Sequence, residues 1–303
     1  MPAPLFSRRH GMRAAAAAAL ALPLATQPEA RADAAADGSA VPVDGSQLHA
    51  MTFNLRYASD TAPNSWAQRR PVMRELLRRA APHLLGTQEG LYGQLRDIAA
   101  DLGPHYDWLG TGRAGGSRDE FMAVFYDTRR LEPLEYDHFW LSDTPYVIGS
   151  NTWGGAVVRM VTWVRFQDRA TDRQFYALNT HLDHISQYAR ERAAGLINAR
   201  LAGLNPALPR IVTGDFNVAA HGNPVYDTLL KGGSLADAWD AADRRSKLYA
   251  TFHGYKPLVP DGDRIDWILT SPGVRTRYAA IDTYSRDGQF PSDHLPVHAV
   301  LEL

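Results

Sequence analysis

The sequence predicts one α/β domain over residues 47–303, on the strength of two observations. Short apolar runs rich in β-branched and aromatic residues, which are typical of strands, recur along the chain. Helical patterns lie between these runs, so strands and helices alternate along the chain, as in a sheet covered by helices. Neither an internal repeat nor a linker interrupts the span, and we therefore expect a single domain.

Seven segments carry the strand pattern, and two carry the helical one. The predicted strands are residues 49–55, 121–126, 159–166, 174–180, 210–213, 264–269 and 297–301. The clearer helix is predicted over 70–81, with Pro71 in its first turn, where a missing N–H costs nothing. A second helix is predicted after Ser186, because Ala189, Ala193 and Ile197 continue one apolar stripe.

Composition restricts the chemistry that is open to the chain. The sequence has no cysteine, which excludes disulfides, thiolate zinc sites and cysteine nucleophiles. A bound metal must therefore be held by oxygen or imidazole. The apolar content of 45% is ordinary for a globular protein and is enough for a sizeable core.

The first residues have the pattern of an export signal. Arg8 and Arg9 provide a charged start, residues 14–25 form a short apolar run, and residues 30–32 fit a small-residue cleavage site. Paired arginines before a moderately apolar stretch are typical of the twin-arginine route. We expect residues 1–32 to be a signal peptide, residues 33–46 a disordered lead-in, and the protein to be secreted or periplasmic. An N-terminal membrane anchor is the alternative, but the apolar run is shorter than the ~20 residues that cross a bilayer, so no stable membrane insertion is expected.

The charge of the mature chain argues against a general nucleic-acid binder. Removing residues 1–32 takes away four arginines and one glutamate, which moves the formal net charge from -1 to -4. Proteins that bind long nucleic acids without sequence preference usually carry a basic face, because neutralising phosphates supplies most of their affinity.

Polar side chains cluster at the ends of the predicted strands, although Asp266 lies inside the strand pattern 264–269 and Asp293 and His294 precede the strand 297–301. The positions are Asn54, Glu89, His181 with Asp183, Asp215 with Asn217, Asp266, and Asp293 with His294. Strand ends gather side chains from distant parts of a chain into one rigid rim, so we expect a single cleft. Carboxylate and amide oxygens are ligands for a hard cation such as Mg²⁺ or Mn²⁺. Together with imidazoles they suffice for phosphoryl transfer, which requires chiefly positioning and charge stabilisation.

These residues form an ordered series of short motifs. The series is Phe53-Asn54-Leu55, Gln88-Glu89, Asn179-Thr180-His181, Gly214-Asp215-Phe216-Asn217, Asp266 and Ser292-Asp293-His294. Over residues 47–303 it resembles the endonuclease/exonuclease/phosphatase superfamily, which includes deoxyribonuclease I-like enzymes, deadenylases, sphingomyelinases and inositol polyphosphate phosphatases. Each motif alone is weak, but six in the family's order and spacing are specific.

The resemblance implies a four-layer α/β/β/α sandwich of two mixed β-sheets flanked by helices, and hydrolysis of a phosphate ester by in-line attack of water. It implies Glu89 as the main metal ligand, with Asn54 beside it and Asp293 joining. Asp215 would orient and deprotonate the water, and Asn217 would donate a hydrogen bond to the phosphate.

The resemblance also implies that His294, oriented by Asp266, contacts the scissile phosphate, and that His181 stabilises charge from the other side. Either Asp215 or the His294–Asp266 pair could accept the proton, and Asp215 is favoured. Arg159 and Asp183 are candidate substrate-binding residues. For Arg159 an ion pair is the alternative, and for Asp183 the alternative is capping the helix that follows it.

Three functions stay open at this point. The first is a metal-dependent phosphatase that acts on a small phosphorylated molecule, and we expect it to be a monomer. The acidic charge of the mature chain favours this function. The second is a nuclease or phospholipid phosphodiesterase, although no long apolar loop in the sequence indicates a lipid enzyme. The third is a non-catalytic binding protein on the same scaffold. Substrate choice is expected to reside in the loops 110–118, 143–155 and 251–261.

Overall fold

The computed structural model describes residues 43–303. The predicted signal peptide and residues 33–42 of the predicted lead-in lie outside these residues, so both stay predictions. Residues 43–46 include a turn in which Asp44 Oδ1 accepts a hydrogen bond from Ser46 N at 2.9 Å. Within residues 43–303 no helix is both long and apolar enough to cross a membrane.

The strands of the described range are short and follow one another along the whole domain. In chain order they are β1 (Leu48–Asn54), β2 (Leu84–Gln88), β3 (Tyr106–Leu109), β4 (Val124–Asp127), β5 (Leu131–Trp140), β6 (Met160–Asp168), β7 (Arg173–His181), β8 (Arg210–Asp215), β9 (Ala236–Asp237), β10 (Arg244–Arg245), β11 (Asp266–Thr270), β12 (Arg275–Ile281) and β13 (Val297–Glu302). The helices are α1 (Trp66–Ala80), α2 (Tyr92–Leu102), α3 (Gln187–Ala202), α4 (Pro224–Leu230) and α5 (Ala238–Ala241).

Within residues 43–303 these strands form two mixed sheets. The first has seven strands in the order β10-β12-β13-β1-β2-β4-β3, and the second has six in the order β5-β6-β7-β8-β11-β9. In the first sheet β1 pairs in parallel with β2 and antiparallel with β13. In the second, β8 pairs in parallel with β7 and antiparallel with β11. The predicted α/β sandwich of two mixed sheets is therefore confirmed.

Three apolar clusters define the layers. The middle cluster contains residues of both sheets, among them Leu84, Phe175 and Ile268, so the two sheets pack face to face. On the outer side of the first sheet, side chains of α1 and α2 pack against β1 and β4. On the outer side of the second sheet, α3 and α4 pack against β7, β8 and β11. The order of layers is thus helices, sheet, sheet, helices.

Helix α1 begins earlier than the sequence pattern predicted. Ser65 is its N-cap, and the Ser65 and Gln68 side chains each accept a hydrogen bond from the other residue's backbone N–H. Pro71 consequently lies inside the helix, so its predicted place in the first turn is wrong. The missing N–H removes one hydrogen bond of the helix, and the next two residues, Val72 and Met73, are buried.

A polar bridge crosses the interface between the sheets beside the site. Asn179 of β7 donates through Nδ2 to Thr87 O at 2.7 Å and to Ala123 O at 2.9 Å. Its Oδ1 accepts from Gln88 Nε2 at 2.7 Å. The two sheets approach each other so closely here that a Cβ added to Gly86 would lie only 2.1 Å from Thr213 Oγ1. This bridge fixes the end of β2, which Glu89 follows directly, and the end of β7, where His181 is the last residue.

Candidate active site

The second sheet presents three polar side chains at the neighbouring ends of three adjacent strands. His181 at the end of β7 pairs with Asp215 at the end of β8, and Asp215 pairs with Asp266 at the start of β11. Residues that are paired across strands point to the same face of a sheet, so the three side chains converge. All three are at most 3% exposed.

The first sheet adds Asn54 and Glu89 from the ends of two adjacent parallel strands. Asn54 Nδ2 donates to Glu89 Oε1 at 3.0 Å and to Asp215 Oδ2 at 2.9 Å. Its Oδ1 accepts from Arg56 N at 2.9 Å. One amide thus joins a carboxylate of each sheet, and the two sheets share a single site.

Two of the site residues have a backbone conformation that residues other than glycine rarely adopt. Glu89 has a φ of 62° and Asn217 a φ of 52°, both in the left-handed region. Glu89 directly follows the end of β2, and Asn217 lies two residues beyond the end of β8. Asp215 Oδ1 accepts a hydrogen bond from Asn217 N at 2.9 Å. Strain of this kind persists where the surrounding structure fixes it, and it is concentrated at functional sites.

His294 is held as a cation. Its Nδ1 donates to Asp266 Oδ2 at 2.9 Å, and its Nε2 lies 3.8 Å from Asp215 Oδ2. Burial by itself would lower the pKa of His294, but the carboxylates of Asp266 and Asp215 outweigh it and raise this pKa to about 10. A charged imidazole therefore faces Asp215 at neutral pH.

His181 is the opposite case. Burial, followed by the nearby Arg159 and His294 cations, holds its pKa well below the usual range. Its Nε2 lies 3.3 Å from Asp215 Oδ2 and 2.9 Å from Asn217 Nδ2. Because the ring is neutral, its contact with Asp215 is not an ion pair.

Asp215 lies between the two imidazoles. Burial and the neighbouring carboxylate of Asp266 raise the pKa of Asp215 to about 7, against the opposing effect of His294. A carboxyl group with this pKa exchanges a proton readily near neutral pH, which suits a general base.

The donor set fits a hard divalent cation. Oxygens of Glu89 and Asp215 converge on the one Asn54 amide, so negative charge collects where the sheets meet. In this arrangement the Asn54 nitrogen donates to the two carboxylates. The predicted role of Asn54 as a metal ligand would require its amide group to flip, so that the oxygen takes the place of the nitrogen. A second candidate group is Asp215, Asp266 and His294, whose ligand atoms lie within 4.8 Å of one another and could also hold a cation. We favour Glu89 as the ligand, since His294 and Asp266 are already joined by a hydrogen bond.

The remaining predicted residues lie around this centre. Asp293 is 3.9 Å from Arg56 Nε through its Oδ2. The Asp183 carboxylate accepts backbone N–H groups of Ile185, Ser186 and Val157. The N-cap of α3 is Ser186, whose Oγ accepts from Ala189 N. Asp183 therefore holds the turn that leads into α3 instead of capping the helix, and its contact with substrate stays a prediction.

Arg159 is 6% exposed, and its Nη2 lies 3.2 Å from His184 Nδ1. Its Nε and Nη1 are buried without a hydrogen-bond partner among residues 43–303. Burial lowers its pKa, and nearby Glu120 raises it. No ion pair with a residue of the described range holds the guanidinium, so this geometry does not favour the alternative of a structural ion pair. A phosphate contact stays a prediction.

Phe252 is a site residue that the sequence pattern did not single out. Its ring is 50% exposed and lies 4.9 Å from the His294 ring, centroid to centroid. The neighbouring Thr251 Oγ1 accepts from Asp266 N at 3.2 Å, which ties this loop to the site. The only signal in the sequence was its place in the loop 251–261, since an exposed aromatic residue has no periodic pattern.

Comparison with known proteins gives a match over most of the chain. The sequence model of the Endonuclease/Exonuclease/phosphatase family matches residues 51–294. No curated protein matches the sequence.

Solved structures resemble the chain over most of its length. A mannosyl-6-phosphatase from Bacteroides thetaiotaomicron VPI-5482 is 34% identical, with 84% of this chain and 100% of that chain covered and a TM-score of 0.79. An endonuclease/exonuclease/phosphatase from Bacteroides vulgatus is 33% identical, with 85% and 99% covered and a TM-score of 0.80. The human Nocturnin catalytic domain is 17% identical, with 84% and 94% covered and a TM-score of 0.65, which shows a shared fold alone.

Proposed function

The chain belongs to the endonuclease/exonuclease/phosphatase family, and from that premise we propose that it is a Mg²⁺- or Mn²⁺-dependent phosphatase that acts outside the cytoplasm on a small phosphorylated molecule. Members of this family are hydrolases of phosphate esters. The metal, the substrate and the location are the parts that we propose.

The observation that carries the proposal is the placement of Asp215 between a neutral and a charged imidazole. His181 Nε2 lies 3.3 Å and His294 Nε2 3.8 Å from Asp215 Oδ2. Burial and Asp266 raise the pKa of Asp215 to about 7. A base near neutrality, next to a fixed positive charge, is suited to deprotonating water beside a phosphate.

Each side chain then has a separate task. Asp215 accepts the proton of the water that attacks phosphorus in line with the leaving oxygen. The His294 cation donates from Nε2 to a non-bridging phosphate oxygen, while Asp266 fixes its ring. Asn217 and His181 contact the phosphate from the other side.

The cation that we propose would be held by Glu89, with Asp293 and Asn54 as further candidates. When bound, it would polarise the phosphate and neutralise charge that develops on it. The carboxylate and amide oxygens of this set match the preference of Mg²⁺ for oxygen ligands.

A sugar phosphate is the small molecule that we favour. The similar protein from B. thetaiotaomicron is a mannosyl-6-phosphatase, and all of it aligns with this chain. Phe252 offers a half-exposed aromatic face directly beside His294, and such faces pack well against the apolar side of a ring. The acidic net charge of the mature chain fits a small substrate better than a nucleic acid.

One observation favours a phospholipid as a second candidate substrate. Tyr146, Val147 and Ile148 are consecutive in the loop 143–155 and are 68%, 56% and 61% exposed. Arg200 lies beside them, with its guanidinium 4.7 Å from the Tyr146 ring. Exposed apolar residues next to a cation could contact a lipid surface.

The direct test is phosphate release by the purified protein, measured with Mg²⁺ and with a chelator. The monoester substrates are mannose 6-phosphate and other sugar phosphates. One cleavage of a diester releases no free phosphate, so plasmid DNA and RNA are followed by gel electrophoresis, and vesicles of phosphatidylcholine or sphingomyelin by the release of phosphocholine. We expect chelator-sensitive release from sugar phosphates. Cleavage confined to vesicles would replace this proposal with the lipid candidate, and cleavage of DNA or RNA with a nuclease. Asp215→Asn serves as the inactive control.

We also propose that the protein is exported through the twin-arginine route and acts as a monomer. Arg8→Lys together with Arg9→Lys should retain the protein in the cytoplasm, whereas continued export of this variant would contradict the route. Light scattering on the purified protein measures its mass in solution, and a mass of two chains would contradict the monomer.

A further inference from the structure

Arg69 uses its whole guanidinium to hold the backbone beside the candidate site. It lies on α1 and is 0% exposed. Nε donates to Asn64 O at 2.9 Å, Nη1 to Leu55 O at 2.8 Å and Pro291 O at 2.9 Å, and Nη2 to Arg56 O at 2.9 Å and Tyr57 O at 3.1 Å. A guanidinium has five N–H groups, so every donor of Arg69 is used on a backbone carbonyl.

Four of the five carbonyls that accept from Arg69 belong to two segments next to proposed cation ligands, residues 55–57 and Pro291. Leu55 directly follows Asn54, and Pro291 precedes Asp293 by two residues. Nη1 of Arg69 therefore joins the end of β1 to the segment that leads into Asp293 and His294.

Ser292 makes a second link between the same two segments. Its Oγ donates to Asn54 O at 2.6 Å and accepts from His294 N at 3.2 Å. Gln94 of α2 supports the first segment, because its Nε2 donates to Arg56 O at 3.0 Å. Tyr57 N in that segment in turn donates to Glu89 Oε2 at 3.2 Å.

The charge of Arg69 fits this position. A buried cation is costly unless it is fully hydrogen-bonded, and five carbonyl acceptors meet that condition. Burial lowers the pKa of Arg69, while nearby Tyr255 and Asp293 oppose that shift. A planar fork also fixes the directions of its donors, which the three rotating N–H groups of lysine cannot do.

We propose that Arg69 is a positioning residue which, together with Ser292, sets the separation of Asn54, Glu89 and Asp293 and thereby the affinity of the site for its divalent cation. This inference rests on the proposed function, since it requires that a cation binds there. Arg69 itself touches none of the reacting atoms.

The test is the dissociation constant of Mn²⁺ for the full chain without substrate, measured by the paramagnetic resonance of free Mn²⁺. Residues that orient metal ligands typically change affinity by about 10–100-fold when they are replaced. We expect Arg69→Lys to weaken Mn²⁺ binding by about this factor, and Ser292→Ala to weaken it in the same direction.

Arg70→Lys is the matched control. Arg70 is the next residue of α1 and contacts Asp97 and Asp101 of α2 instead of the site segments. Its replacement is expected to lower the melting temperature while leaving the Mn²⁺ affinity unchanged. A role that is merely structural would make Arg69→Lys behave like this control.

The outcomes separate this inference from the proposed function. Mn²⁺ binding by the parent protein, with unchanged affinity in Ser292→Ala and in folded Arg69→Lys, overturns the positioning role alone. A parent protein that binds no Mn²⁺ and no Mg²⁺ overturns the metal-dependent function and this inference with it. If Arg69→Lys does not fold, Ser292→Ala decides between the positioning role and a structural one.

Discussion

Asp215 and Asp266 are directly opposite each other on β8 and β11, and both are almost completely buried. Two carboxylates so close would repel each other if both were ionised. The His294 cation offsets this repulsion, because its Nδ1 donates to Asp266 and its Nε2 faces Asp215. The pair thus contains one carboxylate that is hydrogen-bonded to a charged imidazole and one, Asp215, whose pKa of about 7 suits it to the proposed exchange of a proton.

Asp215→Asn should remove the general base and keep the shape of the side chain. We expect kcat for phosphate release to fall by ~10²–10⁴, the usual size of a general-base contribution. Asp227→Asn, on the exposed face of α4, is the matched control and should leave kcat unchanged. A near-parental rate in Asp215→Asn, with intact circular dichroism, would transfer the base role to another group.

Glu89→Gln should weaken cation binding without disturbing the fold. The substitution removes a negative charge from the oxygens that meet the Asn54 amide and Tyr57 N. We expect the Mg²⁺ concentration for half-maximal activity to rise by about 10-fold or more, because Mg²⁺ is usually bound through only one or two carboxylates. Glu191→Gln, an exposed residue of α3, is the control. Saturation of Glu89→Gln at the parental Mg²⁺ concentration would remove Glu89 from the ligands.

His298 should make the domain sensitive to acid. Burial lowers its pKa to about 4, below the value of ~6.5 expected in the unfolded chain. The unfolded state therefore binds more protons between these values, so the contribution of His298 to stability is present above pH ~6.5 and is lost as the pH falls towards 4. The neighbouring titratable groups are His49, with Nε2 3.0 Å from His298 Nδ1, and Asp282, with Oδ2 3.8 Å from its Nε2.

His298→Asn should reduce this sensitivity. Between pH 7 and pH 5 we expect the loss in the free energy of unfolding to be about 2 kcal/mol smaller than in the parent. The measurement is urea unfolding at both pH values. His105→Asn, an exposed histidine, should leave the loss unchanged, and an equal loss in His298→Asn would show that His298 does not titrate on unfolding.

Gly86→Ala should destabilise the interface between the sheets. The added Cβ would lie 2.1 Å from Thr213 Oγ1 and 2.7 Å from Asn179 Oδ1. We expect a loss of about 3 kcal/mol or more in the free energy of unfolding, the upper range for overpacking. Gly93→Ala on α2 meets no atom within 4 Å and should stabilise the protein by about 0.4–1 kcal/mol. Equal unfolding midpoints for the two variants would contradict this difference.

The sequence predicted the parts of the fold that carry strong apolar patterns. Each of the seven predicted strands overlaps an observed one, and both predicted helices exist. β5 gave no such signal, because the middle of Leu131–Trp140 is exposed at the edge of its sheet. β9 and β10 have two residues each, which is too short for any period. Helix α1 begins earlier than predicted because the capping box of Ser65 and Gln68, and not Pro71, sets its first residue.

The sequence motifs predicted more of the candidate site than of the structure around it. The motif residues Asn54, Glu89, His181 and Asp215 do meet, because strand ends bring them to one rim. Their roles stay predictions. The orientation of the Asn54 amide could not be predicted, since it depends on hydrogen bonds across two sheets. The contacts of Arg69 could not be predicted from the sequence either. Its partners are backbone carbonyls, which every residue has, so no particular residue type marks them.

The position of β1 between β2 and β13 has a consequence for biosynthesis. While the chain emerges from the ribosome, β1 keeps one open edge until residues 297–302 are available to pair with it. Ser292 Oγ donates to Asn54 O across the same two segments, so we expect the candidate site to be incomplete, and the nascent chain inactive, until β13 has paired. An unpaired central strand is also a surface on which other chains can add, and pairing between such distant segments is slow. We therefore expect chaperones to bind the growing chain until its last strand closes the sheet.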